Sequence, residues 1–268
     1  MTGEADWAPP GVDTRRANIA RVYDYWLGGS QNFLADQDLG RQITAIEPSA
    51  REIARANRAF LGRAVRYLAA AGIGQFLDIG SGIPTQGNVH EVAQQASPGS
   101  RVVYADTDPV VIAHSQAILA RHPDAAAIRA DLRDPAAILA DPVVQGLIDL
   151  REPVGLLLVA VLHFLDDADD PWRIVSTLLD ALAPGSFLVV SHATTDDRPD
   201  LARVVEKVYN GSVSGSWLFR SGAQIRRFFD GTDLVEPGLV APYRWRPDPD
   251  AADAGGLWGI LGGVGRKG

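Results

Sequence analysis

The chain has 268 residues, 46% of them hydrophobic, enough for one large α/β domain with a substantial core. Its formal net charge of −8, from 33 acidic against 25 basic residues, weighs against a general nucleic-acid binder. No cysteine is present, so disulfides and thiolate chemistry are excluded, and the longest apolar run, Val154 to Leu162, is too short to cross a bilayer.

Residues 1–12 are polar, bear Pro and Gly, and read as a loose tail with no charged-then-apolar leader, so a cytoplasmic location is expected. An amphipathic helix follows, with Ile19, Val22, Tyr23 and Trp26 at helical spacing and Gly28-Gly29 as its stop. A longer helix starts near Pro48, carries a continuing face from Ile53 through Asn57 and Phe60 to Leu68, and ends at Gly72.

From there strands and helices alternate. Gln75–Ile79 and Arg101–Ala105 read as strands, and Asp108-Pro109 caps a helix that runs to about Arg121. Ala127–Ala130 is a weaker strand. Pro153–Val161 is the strongest, a continuous apolar run suited to burial on both faces. Asp170-Pro171 repeats the cap before a helix to about Ala183, and Ser186–Ser191 is the next strand. Ser221 with Gln224 reads as a capping box for a helix through Phe229, and short strands follow near Leu234–Val235 and Leu257–Val264. This order predicts a doubly wound α/β fold with a mostly parallel sheet.

The central chemical signal is Asp78-Ile79-Gly80-Ser81-Gly82, a strand ending in an acid before a glycine turn. The glycines allow backbone to approach a ligand where a Cβ would collide. A dinucleotide turn has glycines too, but it holds an anionic pyrophosphate at a helix N-terminus. An acid before the first glycine suits a ligand with ammonium and sulfonium cations and no phosphate, which describes S-adenosylmethionine. Asp106 ends the next strand, where a carboxylate accepts ribose hydroxyls, since Asp108 already caps the helix. Asp131 follows the third strand, placed to accept an adenine amino group or simply to cap a loop.

The order Asp-x-Gly-x-Gly, Val-Val-Tyr-x-Asp, Ala-Asp-Leu, Leu-His-Phe resembles class I S-adenosylmethionine methyltransferases. Ala20-Arg21-Val22-Tyr23-Asp24-Tyr25-Trp26-Leu27-Gly28-Gly29, Asn32-Phe33, Ala56 to Leu61, Phe76 to His90 and Arg226 to Leu239 resemble more narrowly an actinobacterial family long of unknown function. The resemblance spans roughly residues 14–268. It implies a Rossmann-like seven-stranded sheet with the last strand antiparallel. Helical spacing upstream of the sheet divides the chain into an N-terminal helical extension or lid over residues 1–72 and a cofactor-binding domain over 73–268. Asp78, Gly80, Gly82, Asp106 and Asp131, with Ser81, Thr107 and Leu132 beside them, then surround the cofactor. One departure stands out: Pro84 occupies the usual third-glycine position, so the loop must bend differently, with Gly87 as a substitute.

On the acceptor side, His163 after the fourth strand is a candidate base or a locally packed ring, and His192 is a weaker candidate. His114 and His122 are expected to be exposed, and His90 to lack a partner. Tyr23, Tyr25, Asn32 and Phe33 are read as a lid hinged at Gly28-Gly29, and Ser212 to Trp217 as a second wall. No ligand-spaced cluster suggests a metal. The expected reaction is direct methyl transfer to a small molecule by a bacterial enzyme. Two rivals are a non-catalytic S-adenosylmethionine sensor and a nicotinamide oxidoreductase, the latter disfavoured by Asp78 and Pro84.

Overall fold

The structure, a computed structural model, describes residues 12–84, 87–213, 216–249 and 258–268. The expected loose tail through residue 11, Thr85-Gln86, Ser214-Gly215 and the strand start at Leu257 lie outside the described residues. Helices α1 (Ile19–Leu27), α2 (Leu34–Ile46) and α3 (Ala50–Ala70) precede the sheet. Then come β1 (Gln75–Ile79), α4 (Val89–Ala96), β2 (Arg101–Asp106), α5 (Pro109–Leu119), β3 (Ala125–Arg129), α6 (Pro135–Ala140), α7 (Pro142–Leu147) and β4 (Gly155–Val159). The chain closes through α8 (Pro171–Asp180), β5 (Phe187–Ala193), α9 (Pro199–Asn210), α10 (Gly222–Arg226), β6 (Thr232–Leu234) and β7 (Ile260–Lys267).

The seven strands lie in the order β3-β2-β1-β4-β5-β7-β6. β1 through β5 are parallel, and β7 enters antiparallel between β5 and β6, with Phe187 opposite Arg266 and Ala193 opposite Ile260. The seven-stranded, mostly parallel sheet with an antiparallel last strand is therefore present. Chain order reverses between β1 and β4, and their carboxyl ends open the crevice where ligands of such sheets bind.

Apolar residues of the strands fill both faces. Leu77, Val103, Leu156 and Val190 pack with α6, α7 and α8, whereas Phe76, Val102, Leu157 and Val189 pack with α3 and α4. Trp245 is fully buried on the second face, edge-on to Phe60 and Tyr67. Arg63 fastens its turn by donating to the carbonyls of Trp245 (2.9 Å) and Pro242 (2.6 Å). These contacts leave the carboxyl ends of the strands free of core duty.

The N-terminal helices form a separate apolar cluster. Val22 and Trp26 of α1, Leu39 and Ile43 of α2, and Ala50 and Ala54 of α3 pack with Val205 and Tyr209 of α9. α2 and α9 were not read from the sequence, although Ala202, Val205 and Tyr209 fall at helical spacing behind Pro199. The α1–α2 corner is tied by polar groups. Asp36, fully buried, pairs with Arg21 (3.0 Å) and accepts the N–H groups of Asn18 and Phe33. Asp24 accepts from the Asn32 side chain (2.8 Å) and the Gln31 N–H (2.9 Å).

Candidate active site

A cavity of about 370 Å³ lies over the carboxyl ends of β1 to β4, beneath the N-terminal helices. One half is polar. Asp78, Gly80, Ser81 and Gly82 line it from β1 and its turn, Asp106 and Thr107 from β2, and Asp131 and Leu132 from the β3 end. All eight cofactor candidates from the sequence thus meet in one place.

The glycine turn has local reasons. Gly80 has φ +74°, and a Cβ there would lie 2.3 Å from a Val161 methyl. Gly82 has φ +66°, and its N–H donates to Asp106 (3.0 Å). Asp106 also accepts the Asp108 N–H (3.0 Å), while Asp108 caps α5 by accepting the Val110 N–H. Gly87 is left-handed, φ +71°, and Asn88 then starts α4 in a capping box with Glu91.

Burial sets the charge state here. It pushes the Asp78 carboxyl up to about 7, against the pull of Arg58 and helped by Asp106. Asp106 is raised for the same reason, opposed by the N–H groups of Asp108 and Gly82. Asp131 is exposed and paired with Arg133 (3.0 Å). The sequence did not single out Arg58 as a site residue. It arrives from α3 one position after Asn57, and both line the cavity. Charge on a helix facing the strand ends was the available signal.

The other half is largely apolar and aromatic. Tyr23 and Trp26 of α1, Tyr209 of α9, and Phe164, Trp217 and Phe219 line it. Tyr209 and Trp217 have ring centroids 4.2 Å apart, and Trp217 and His163 4.5 Å. Tyr23 donates to the Ala54 carbonyl (3.0 Å) and accepts from Asn57.

Other acceptor candidates are placed elsewhere. Tyr25, Asn32 and Phe33 are not among the lining residues. Tyr25 packs under Arg51, Asn32 bonds Asp24, and Phe33 lies beneath Arg21. The glycine pair also has packing reasons: Gly28 ends α1 at φ +84°, and a Cβ on Gly29 would overlap the Asp24 carboxylate at 1.9 Å. These residues build the corner, because Asp24 and Asp36 need buried donors.

The histidines divide similarly. His163 lines the cavity, and burial holds it well below the ordinary imidazole value, helped by His192 and Arg220. The Ala193 N–H faces its Nδ1 at 3.4 Å, which leaves Nε2 to carry the proton of the neutral ring. His192 is fully buried behind the wall, its Nε2 accepting from Arg220 (2.9 Å) and its Nδ1–H donating to the Ala193 carbonyl (2.7 Å). Burial drives it down to about 3. His90 does have a partner: it is buried and bonds the Tyr104 hydroxyl at 2.8 Å. His114 and His122 are half-buried rather than exposed.

Arg220, also not anticipated, organises this wall. Its guanidinium donates to the carbonyls of Leu162 (3.0 Å) and Leu165 (2.9 Å), pinning the turn that carries His163 and Phe164, and pairs with Asp167 (2.7 Å).

Among the described residues, eight buried side-chain polar atoms lack a hydrogen-bond partner. Six belong to cavity-lining residues: Glu47 Oε2, Asn57 Oδ1, Arg58 Nε, Ser81 Oγ, Asp108 Oδ2 and Trp217 Nε1. Buried polar groups are ordinarily paired, so their concentration here fits a site built for a polar occupant.

A family model described as S-adenosyl methyltransferase matches residues 5–268. The chain belongs to this family. The cofactor of these S-adenosyl methyltransferases is consistent with the acids and partnerless groups at the polar end. Two crystal structures are similar over nearly the whole chain. A candidate methyltransferase from Thermobifida fusca is 42% identical, with 98% of this chain and 99% of that one covered and a TM-score of 0.91. A DUF574 family protein from Streptomyces avermitilis is also 42% identical, with 96% and 99% covered and a TM-score of 0.90. The mitomycin 7-O-methyltransferase is 18% identical, with 94% and 74% covered and a TM-score of 0.52, a likeness of fold alone. No protein of curated function matches the chain. No helix among the described residues is long and apolar enough to cross a membrane.

Proposed function

We propose that this S-adenosylmethionine-dependent methyltransferase acts on a small molecule held in the aromatic half of the cavity, in the bacterial cytoplasm. The observation that carries this reading is the continuity of one cavity from the strand-end acids to the Tyr209–Trp217–His163 wall. The covering α1–α3 extension leaves a space of small-molecule size rather than a groove for a polymer.

Asp106 is suited to accept ribose hydroxyls, because each of its oxygens has a further lone pair beyond its backbone bond. Asp131 and Leu132 are suited to the adenine edge. Asp78 faces the cofactor's cationic end, and Arg58, with its partnerless Nε, suits the methionine carboxylate. The cofactor supplies a methyl group already activated on a sulfonium. The protein's part is to align the acceptor and exclude water, worth up to about 7–11 kcal/mol in ideal cases.

His163 fits an orienting role better than that of a base. Buried and neutral with its Nδ1 engaged, it offers Nε2–H as a donor to an acceptor oxygen. Trp217 Nε1 is a second unengaged donor on the same wall. The N-terminal helices cover the site, and the Arg21–Asp36 and Asp24–Asn32 contacts brace the corner that carries Gly28-Gly29.

The test uses S-adenosylmethionine labelled with tritium in its methyl group and fractionated bacterial extract. Label should appear in the small-molecule fraction. Transfer only into protein or nucleic acid would contradict the reading.

A further inference from the structure

We propose that the methyl acceptor is a compact aromatic or apolar molecule bearing a protonated amine, and that Glu47 holds that amine. The inference rests on the small-molecule methyltransferase reading and names its substrate class.

Glu47 lies between α2 and α3, with only 6% of its surface exposed, and lines the cavity. Its Oε1 accepts from the Ser49 N–H (2.8 Å) and hydroxyl, which fixes the start of α3. Its Oε2 is buried and has no partner. A capping role requires one oxygen; the second is left in apolar surroundings, where an uncompensated carboxylate is costly. Its neighbours Ile43, Ile46 and Ala50 belong to the same apolar cluster as Trp26, Tyr209 and Trp217. A flat apolar body against those rings places its cationic group within reach of this acid, and the ring faces themselves favour a cation.

The charge of the whole lining points the same way. Acids from Glu47, Asp78, Asp106, Asp108 and Asp131 face arginines at Arg58 and Arg133, and Arg133 is already paired with Asp131 and Asp169. Arg58 belongs to the polar half beside Asp78, and His163 is held neutral, so among the described residues the aromatic half has no cation for an anionic acceptor. A net charge of −8 also favours approach of cations.

The experiment uses protein saturated with S-adenosylhomocysteine and three matched probes: phenethylamine, phenethyl alcohol and hydrocinnamate. Cofactor-product binding is measured first and alone, so its failure would count against the methyltransferase reading rather than against Glu47. Calorimetry should show phenethylamine binding at least about tenfold tighter than the alcohol, with hydrocinnamate weakest, as a charge-assisted contact requires. Glu47→Gln retains an acceptor for Ser49, and should abolish the preference while leaving S-adenosylhomocysteine affinity and melting temperature near their starting values. Four results would overturn the proposal: no preference for the amine, no binding of it at millimolar concentration, a preference that survives Glu47→Gln, or a uniform loss for all three probes.

Discussion

The acids of the polar half come from three consecutive strand ends, with Arg58 added from α3, whereas the aromatic half is gathered from α1, the α2–α3 junction, the turn after β4, α9 and the residues around Trp217. In the first, each acid follows from its own strand and turn. In the second, position depends on buried polar fasteners: Arg220 under the His163 turn, Asp36 and Asp24 at the α1–α2 corner. A sheet edge presents ligand groups as a consequence of topology, but a wall drawn from distant segments has to be held together separately. The two halves should therefore respond differently to perturbation.

The largest effect is expected at Arg220. Arg220→Met leaves the carbonyls of Leu162 and Leu165 and His192 Nε2 without their donor. At about 1–3 kcal/mol per stranded buried acceptor, unfolding free energy should fall by about 3 kcal/mol or more. Loss of the Asp167 pair adds little, because Asp167 is 61% exposed. Melting temperature should drop by about 2–4 °C per kcal/mol, with S-adenosylhomocysteine affinity retained in the folded protein. A parallel loss of affinity would show that the halves are not separable.

Asp106→Ala perturbs the other half. It removes the proposed ribose acceptor and the partner of the Gly82 and Asp108 N–H groups, yet lies at a strand end outside the core. S-adenosylhomocysteine affinity should fall by about 1–3 kcal/mol in calorimetry while the melting temperature without ligand changes little. Unchanged affinity would remove Asp106 from the cofactor site.

These halves also differ in how much the sequence disclosed. The strands, Asp78, the glycine turn and Asp106 were legible because each announces itself locally, by an apolar run, a φ-demanding glycine or an acid at a strand end. Of the aromatic half, Tyr23, His163 and Trp217 were legible as positions, and the rest was not. Tyr25, Asn32 and Phe33 share a short segment with Tyr23, but α2 turns them into the corner, and α2 was itself unread. Glu47, Arg58 and Arg220 acquire meaning only from what packs against them across long sequence separations. His163 was legible as a position, and its neutral state follows from burial beside His192 and Arg220.

A smaller effect sharpens the comparison through pH. Asp78 titrates near 7 in the ligand-free fold, and a cationic ligand group favours its carboxylate. Affinity for S-adenosylhomocysteine should thus rise with pH and level off above about 7, being about tenfold lower one unit below that point. The ligand-free protein should show the opposite trend. Its folded form keeps a proton that the unfolded chain releases near 3.8, so the Asp78 contribution to stability is present below that value and is lost as pH climbs through about 7. Calorimetry in buffers of different ionisation enthalpy should detect proton release on binding at pH 6 to 7. Binding without proton release and without pH dependence would contradict the assignment of Asp78. His163, held well below the usual range, should contribute no limb near neutrality to a pH–rate profile.

A crystal structure of the S-adenosylhomocysteine complex would decide whether one cavity holds the cofactor at the strand-end acids and leaves the aromatic half for the acceptor. The ribose hydroxyls are expected on Asp106, the amino-acid end between Asp78 and Arg58, and the sulfur facing an open space bounded by Tyr23, His163 and Trp217. A ligand whose adenine fills the aromatic half, or whose sulfur is walled off from it, would contradict the account.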